Sequence, residues 1–131
     1  MCSNSPYKIT DYLQYDYVGA PWPLNSSLPI TGGNGGFSLR SRNKTITLLE
    51  RMTFPAESGI PEDVWFSENL PTVGILPPRH VAKTFSVEGV FHENPMAVHK
   101  FYVSSELNTT QLKKIHTVCP EAVLIPPYGK I

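Results

Sequence analysis

Short apolar patterns separated by turns run along this chain, and each predicts a small element. Residues 16–19 combine aromatic and β-branched side chains and predict a strand that ends at the prolines of 20–23. Phe37 and Leu39 alternate with polar neighbours, which predicts a second strand with one buried face. A loop of serine, asparagine, glycine and proline fills residues 24–34 between these strands.

Helical spacing appears in several later segments. Ile46, Leu49 and Met52 recur three residues apart and predict a helix over 43–51. Pro61 followed by two carboxylates is typical of a helix start, because proline and acidic side chains both suit a first turn. Further predictions are helices over 5–13, over 79–85 and from Ser104 or Ser105 onward, and an apolar strand over 97–102. Helices and strands alternate without segregation, so the sequence predicts an α/β fold.

Composition narrows the class of protein. The 131 residues suit one domain, 1–131, and carry 11 basic and 11 acidic side chains, hence a formal net charge of zero. That balance excludes the basic surface of a nucleic-acid-binding protein and a polybasic membrane-binding face. No apolar run reaches the ~18 residues of a membrane span. The 13 prolines and 9 glycines predict a loop-rich structure.

The cysteines and three asparagine motifs leave questions open. Cys2 and Cys119 are too few for a disulfide scaffold and lack metal-site spacing, and whether they pair across the domain stays open. Asn25, Asn43 and Asn108 each begin an N-glycosylation acceptor triplet. Such triplets matter only for a chain that enters the secretory pathway.

A glycine-rich segment supplies candidate ligand contacts at Gly33, Asn34, Gly35 and Gly36. Glycines permit a positive φ and let a ligand approach the backbone closely. No Gly-Lys-Ser/Thr sequence follows them, so the segment is not a phosphate-binding P-loop. The structural alternative is a flexible, solvent-exposed turn before a strand.

Glu62 and Asp63 are the candidate catalytic carboxylates. Neighbouring side chains on a helix point ~100° apart, so these two cannot flank one glycosidic bond as a hydrolase pair does. Either can act as a general base if it reaches a substrate hydroxyl. The structural alternative is that both only complement the dipole at the helix start.

Three further side chains are weaker candidates when taken alone. His99 is a candidate metal ligand, but no other histidine lies at a metal-site spacing from it. Trp22 and Trp65 could stack on sugar rings, and the alternative for each is packing within the fold.

Several segments together resemble one known family. They are 15–22, 33–42, 62–67, 85–88 and 98–100. The combination resembles a largely uncharacterised group of glycosyltransferase-like proteins. It is more distantly similar to the Fringe and β-1,3-galactosyltransferase group, in which a glycine-aromatic-serine segment precedes Glu-Asp-Val. The similarity covers essentially the whole chain.

The resemblance implies a GT-A glycosyltransferase, which moves a sugar from a nucleotide-sugar donor to a hydroxyl of a glycan or other acceptor. It implies that residues 33–36 line the substrate cleft and that Asp63, next to Glu62, is the base. It implies that His99 joins the divalent cation, Mn²⁺ or Mg²⁺, that holds the diphosphate. For a full-length homologue it implies the Golgi or secretory lumen.

One difference from the family shapes the remaining expectations. The family carries an Asp-x-Asp metal motif upstream of the segment that resembles residues 2–6, and this chain begins at Met1. The resemblance therefore predicts the C-terminal, acceptor-side half of a Rossmann-type mixed sheet, truncated at its N-terminus. We expect such a half to be inactive alone and to bind no metal by itself.

Two other classes of function stay open at this stage. One is a non-catalytic carbohydrate-binding or interaction module that uses Trp22, the glycine segment and Trp65. The other is a degenerate gene product without function.

Overall fold

The structure, a computed structural model, describes residues 1–103 and 105–124. Within them lie four strands and four α-helices, joined by turns and short 3-10 segments. The strands are β1 (Tyr17–Ala20), β2 (Asn34–Arg40), β3 (Ser86–Val87) and β4 (Ala97–Val98). The helices are α1 (Arg42–Arg51), α2 (Glu62–Asn69), α3 (Arg79–Phe85) and α4 (Thr109–Val118).

The described strands form two separate sheets. β1 and β2 pair antiparallel, with Tyr17 opposite Arg40 and a register shift between Gly19 and Ala20. β3 and β4 pair in parallel over two residues each. The predicted α/β class is confirmed, but among the described residues the strands make two small sheets rather than one mixed sheet.

The strand predicted over 97–102 is shorter than expected. β4 ends at Val98, and the chain then turns at Lys100, whose φ of 46° lies in the left-handed region. The N–H of Val103 closes this turn by donating to the carbonyl of Lys100 at 3.0 Å. A left-handed residue interrupts an extended strand, so Phe101 leaves the sheet and packs in the core instead.

The helix predictions differ in how well they agree with the structure. α3 has the bounds predicted for it, whereas the segment 5–13 contains only a 3-10 turn, Ile9–Tyr12. α4 begins after Asn108, whose side-chain oxygen accepts the N–H of Gln111 at 2.9 Å. Asn108 rather than Ser105 is therefore the cap, and Ser104 lies outside the described residues.

α1 confirms the predicted helix but turns a different face inward. Leu48 is fully buried against β1 and α2, whereas Ile46, Leu49 and Met52 are 40%, 46% and 39% exposed. The three-residue spacing marked the helix correctly, and the single leucine between these positions fixes its packing. Ser41 caps the helix by accepting the N–H of Lys44 at 3.3 Å.

Three hydrophobic clusters hold the elements together. One joins β1, α1 and α2, and its members are Tyr17, Leu48, Trp65, Phe66 and Leu70. The second joins β1, α3 and β4, and its members are Tyr12, Val18, Ala82, Phe85, Met96 and Ala97. The third surrounds a disulfide between Cys2 and Cys119, which ties the N-terminal segment to the end of α4. The pairing left open by the sequence is thus resolved.

No helix of the described chain is both long enough and apolar enough to cross a bilayer.

Candidate functional site

The glycine segment is held by side chains of the core and is not a free loop. The Tyr17 hydroxyl donates to the Gly33 carbonyl at 2.6 Å, and the Gly33 N–H donates to the Ser67 hydroxyl at 3.2 Å. Gly33 has a φ of 154°, and a Cβ there would overlap the backbone of Ala20. The expected flexible turn ends at this residue, because β2 already begins at Asn34.

Asp63 lies in the first turn of α2 and faces the glycine segment. Its Oδ2 accepts the N–H of Gly35 at 3.0 Å, and its Oδ1 accepts the N–H of Val64 at 2.9 Å. The side chain is only partly buried. Two backbone donors therefore fix the carboxylate against β2 while it remains accessible from solvent.

Glu62 has a different environment, although it is the next residue. Its two carboxylate oxygens accept hydrogen bonds from Arg40 at 2.7 and 2.8 Å, in a two-point ion pair. Hydrogen bonding to Glu62 raises the pKa of Arg40. The guanidinium also lies over the rings of Tyr17 and Phe66, 4.9 and 5.1 Å from their centroids. Glu62 is thus engaged in a structural pair, and of the two carboxylates Asp63 is the better placed to accept a proton.

His99 is brought to the same strand by the turn that follows β4. Its Nε2 edge lies against Gly36, so closely that a Cβ at position 36 would overlap the ring. The Nδ1 atom is buried without a hydrogen-bond partner and lies 3.7 Å from Oε1 of Glu88. Burial raises the pKa of the Glu88 carboxyl. Gly36 is therefore required by close approach to an imidazole.

The chemistry of the His99 surroundings partly suits a metal ligand. A carboxylate beside one ring nitrogen is a common arrangement around metal-binding histidines, but in this structure the other nitrogen, Nε2, packs against Gly36. Among residues 1–103 and 105–124, however, no three His, Cys, Asp or Glu side chains gather closely enough to hold an ion. The metal role of His99 therefore stays a prediction.

An open cleft of about 350 Å³ lies beside part of this site: Asn34 and Glu88 line it, whereas Glu62, Asp63 and His99 do not belong to its described lining. Trp22, Asn34, Glu88 and Lys100 are among the residues that line it, and we refer to it as the Trp22 cleft. The Asn34 side chain accepts the N–H of Gly36 at 2.8 Å, which links the cleft to the glycine segment. Amide and carboxylate groups thus face one solvent-accessible space beside Trp22, which is itself buried and 9% exposed.

Trp65 lies away from this cleft. It is 5% exposed, and its ring packs edge-on against Phe54 and Phe66 with centroids 5.5 and 5.1 Å away. The structure therefore places it in the core, which was the alternative to stacking on a sugar.

Two of the residues at the site were not among the sequence candidates. Arg40 forms an ion pair with Glu62, and the Glu88 carboxylate lies next to the His99 ring. Both lie within the segments that carry the family resemblance, at 33–42 and 85–88. Their roles depend on contacts between distant parts of the chain, so no local spacing could have indicated them.

Replacing Tyr17 by phenylalanine should lower stability by about 1–3 kcal/mol at neutral pH, because the buried Gly33 carbonyl loses its donor. Burial raises the pKa of Tyr17 to about 12, above the ~10 of an unfolded tyrosine. The folded state therefore holds this proton more tightly. Its contribution to stability is complete below about pH 10 and is lost as the pH rises towards 12.

Urea unfolding of wild type and Tyr17→Phe between pH 7 and 12 measures both effects. The variant should lose less stability than wild type over the alkaline range. Tyr102→Phe leaves the buried Tyr17 phenol in place and should therefore follow the wild-type pH profile. Equal alkaline losses in wild type and Tyr17→Phe would contradict the assignment.

Comparison with curated proteins and with solved structures gave no match. A family model described as "Protein of unknown function (DUF5672)" matches residues 1–99. The matched range contains Trp22, the glycine segment, Asp63 and His99, and it ends before α4. The family description states no activity. Because the match spans about three quarters of the 131 residues, the chain belongs to the DUF5672 family.

Proposed function

We propose that this chain is the acceptor-side part of a GT-A-type glycosyltransferase and that Asp63 is its general base. The observation that carries the proposal is the hydrogen bond from the Gly35 N–H to Asp63 Oδ2 at 3.0 Å. It fixes a partly buried carboxylate beside β2, where an acceptor hydroxyl can approach it from the solvent side. The resemblance of the same segments to glycosyltransferases supplies the reaction class.

The proposed step needs one proton acceptor near the acceptor hydroxyl. Asp63 takes the hydroxyl proton while that oxygen forms a bond to the anomeric carbon of the donor sugar. The bond from this carbon to the diphosphate breaks, and its electron pair leaves with the nucleoside diphosphate. Glu62 is less suited to this task because protonating it would break its ion pair with Arg40, whereas Asp63 accepts only from neutral backbone N–H groups.

In a complete enzyme, Mn²⁺ or Mg²⁺ would offset the charge that develops on the diphosphate. His99 is our proposed ligand from this chain, with its Nδ1 directed towards Glu88. Because the described residues supply no cluster of three ligands, we assign the remaining ligands and the nucleotide to groups beyond them. No part of the proton transfer to Asp63 depends on this assignment.

A second candidate function is a non-catalytic carbohydrate-binding module. The Trp22 cleft favours it, because an indole beside amide and carboxylate groups suits a sugar ring with its hydroxyls. In this function Asp63 would bind a hydroxyl without removing its proton.

Sugar binding by the purified chain tests what both candidates share. Backbone and indole N–H signals are followed by nuclear magnetic resonance while neutral mono- and disaccharides are added. We expect shifts at the Trp22 indole and at the amides of Gly35 and Gly36. If no saccharide in the panel moves these signals, both candidate functions fail.

A transfer assay tests whether the chain alone can act as a complete enzyme. We expect no transfer when the chain is incubated with nucleotide sugars, Mn²⁺ and glycan acceptors, because the proposal assigns only acceptor-side groups to it. Robust metal-dependent product formation by the chain alone would contradict this division of roles.

A further inference from the structure

A second cavity, of about 250 Å³, is also lined by Trp22. It is enclosed by the loop 23–30 and by Arg79 at the start of α3, and we call it the Arg79 cavity. Its lining is mostly proline, leucine, isoleucine and indole, with two serines. Trp22 and Pro23 line both this cavity and the Trp22 cleft.

Arg79, which is partly buried, brings a positive charge to the wall of this apolar space. Its Nη1 atom is buried and has no hydrogen-bond partner among the described residues. Burial lowers the pKa of the Arg79 guanidinium. The contrast with Arg40 is direct, since Glu62 neutralises that guanidinium with two hydrogen bonds. A buried N–H donor without a partner is costly, and an anion from solution that accepts from Nη1 would offset that cost.

The other polar groups of the cavity cannot replace such an anion. The Ser26 hydroxyl donates to the Pro23 carbonyl at 2.6 Å and accepts the Leu28 N–H at 3.4 Å. These bonds shape the loop and occupy the hydroxyl. No acidic side chain belongs to the described lining. Arg79 is thus the charged donor that a ligand would meet.

We propose that the Arg79 cavity binds a compact carboxylate whose apolar ring packs against Trp22. A planar guanidinium matches a carboxylate in shape and balances one negative charge. The apolar walls suit a ring rather than a hydrated ion, and ligand sites commonly combine apolar walls with few polar groups. A phosphate dianion would require more donors than this one guanidinium. This site goes beyond the proposed transferase function and does not depend on it.

The cavity volume limits the size of the ligand. About 250 Å³ equals roughly eight waters at about 30 Å³ each. A single six-membered ring that carries one carboxylate is of this size. Benzoate is therefore a suitable probe.

Titration with benzoate, benzyl alcohol and inorganic phosphate tests both charge and shape. The Trp22 indole N–H signal, assigned with Trp22→Phe, reports on binding. We expect benzoate to bind at least tenfold more tightly than benzyl alcohol, which has the same ring without the charge. We expect phosphate to leave the signal unmoved. Equal affinities for benzoate and benzyl alcohol would overturn the proposal.

Variants identify the guanidinium as the cause. Arg79→Gln should weaken benzoate binding at least tenfold, whereas Arg51→Gln, which removes an exposed arginine of α1, should leave it unchanged. If Arg79→Gln does not fold, Arg79→Lys keeps the charge, loses the planar fork and should bind benzoate more weakly than wild type. Unchanged benzoate affinity in the folded Arg79 variant would show that the site lies elsewhere. Phosphate binding that depends on Arg79 would replace the carboxylate assignment by a general oxyanion site. Neutral-sugar binding in the Trp22 cleft can succeed or fail separately.

Discussion

Replacing Asp63 by asparagine is expected to slow sugar transfer by about 10²–10⁴-fold in a longer family member that carries the metal motif. The amide has the shape of the carboxylate and can still accept the Gly35 N–H through its oxygen, although its NH2 group cannot accept the Val64 N–H. It cannot accept a proton at neutral pH. The loss should therefore fall on kcat, while the Kd of the nucleotide-sugar donor stays close to the native value.

Two further variants of the same enzyme serve as controls. Glu62→Gln removes one charge of the pair with Arg40, and it should act through stability or acceptor affinity rather than through proton transfer. His99→Ala should weaken the binding of metal or donor. The measurements are kcat, acceptor KM and donor Kd for all three variants. If Asp63→Asn retains near-native kcat while it binds acceptor normally, Asp63 is not the base.

Loss of the disulfide between Cys2 and Cys119 should lower the free energy of unfolding by roughly 2–5 kcal/mol. The two cysteines are 117 residues apart in sequence, and a chain-entropy treatment gives about 4.7 kcal/mol for a loop of ~100 residues. The bond also passes through a hydrophobic cluster that includes Phe101 and Ile115. Its loss should therefore loosen α4 from the rest of the fold.

Urea unfolding with and without reductant measures this contribution. Wild type should lose stability on reduction, and Cys2→Ala/Cys119→Ala should resemble reduced wild type in both conditions. The double variant is the matched control, since reductant has no bond to break in it. Two titratable thiols in wild type purified under oxidising conditions would show that the bond does not form.

Local pattern sufficed where an element depends on its own residues. The bounds predicted for α3 are those of the structure. The spacing of Ile46, Leu49 and Met52 correctly predicted the helix α1. The same spacing could not reveal which face packs inward, because that depends on the position of α1 above Tyr17. The predicted length of the strand over 97–102 was wrong, because a left-handed turn at Lys100 ends the strand within a run of apolar residues.

The candidate site was predictable in its parts but not in its arrangement. Spacing alone left Glu62 and Asp63 equivalent and the family resemblance favoured Asp63, whereas in the structure the contact with Arg40 distinguishes them. The sequence could not bring Glu88 to His99 or separate Trp65 from Trp22, because these relations arise when distant segments pack. Pairing of the two cysteines depends in the same way on how the chain returns to its N-terminus.

The contact between Gly36 and His99 has a consequence for how this sequence can vary in evolution. The imidazole occupies the space that any larger residue at position 36 would need. A side chain at position 36 is compatible with this backbone only after the ring at position 99 has moved or become smaller. Substitutions at the two positions, 63 residues apart, are therefore expected to be coupled. A change at either is restricted by the residue at the other, and a lineage that replaces the histidine can also replace the glycine.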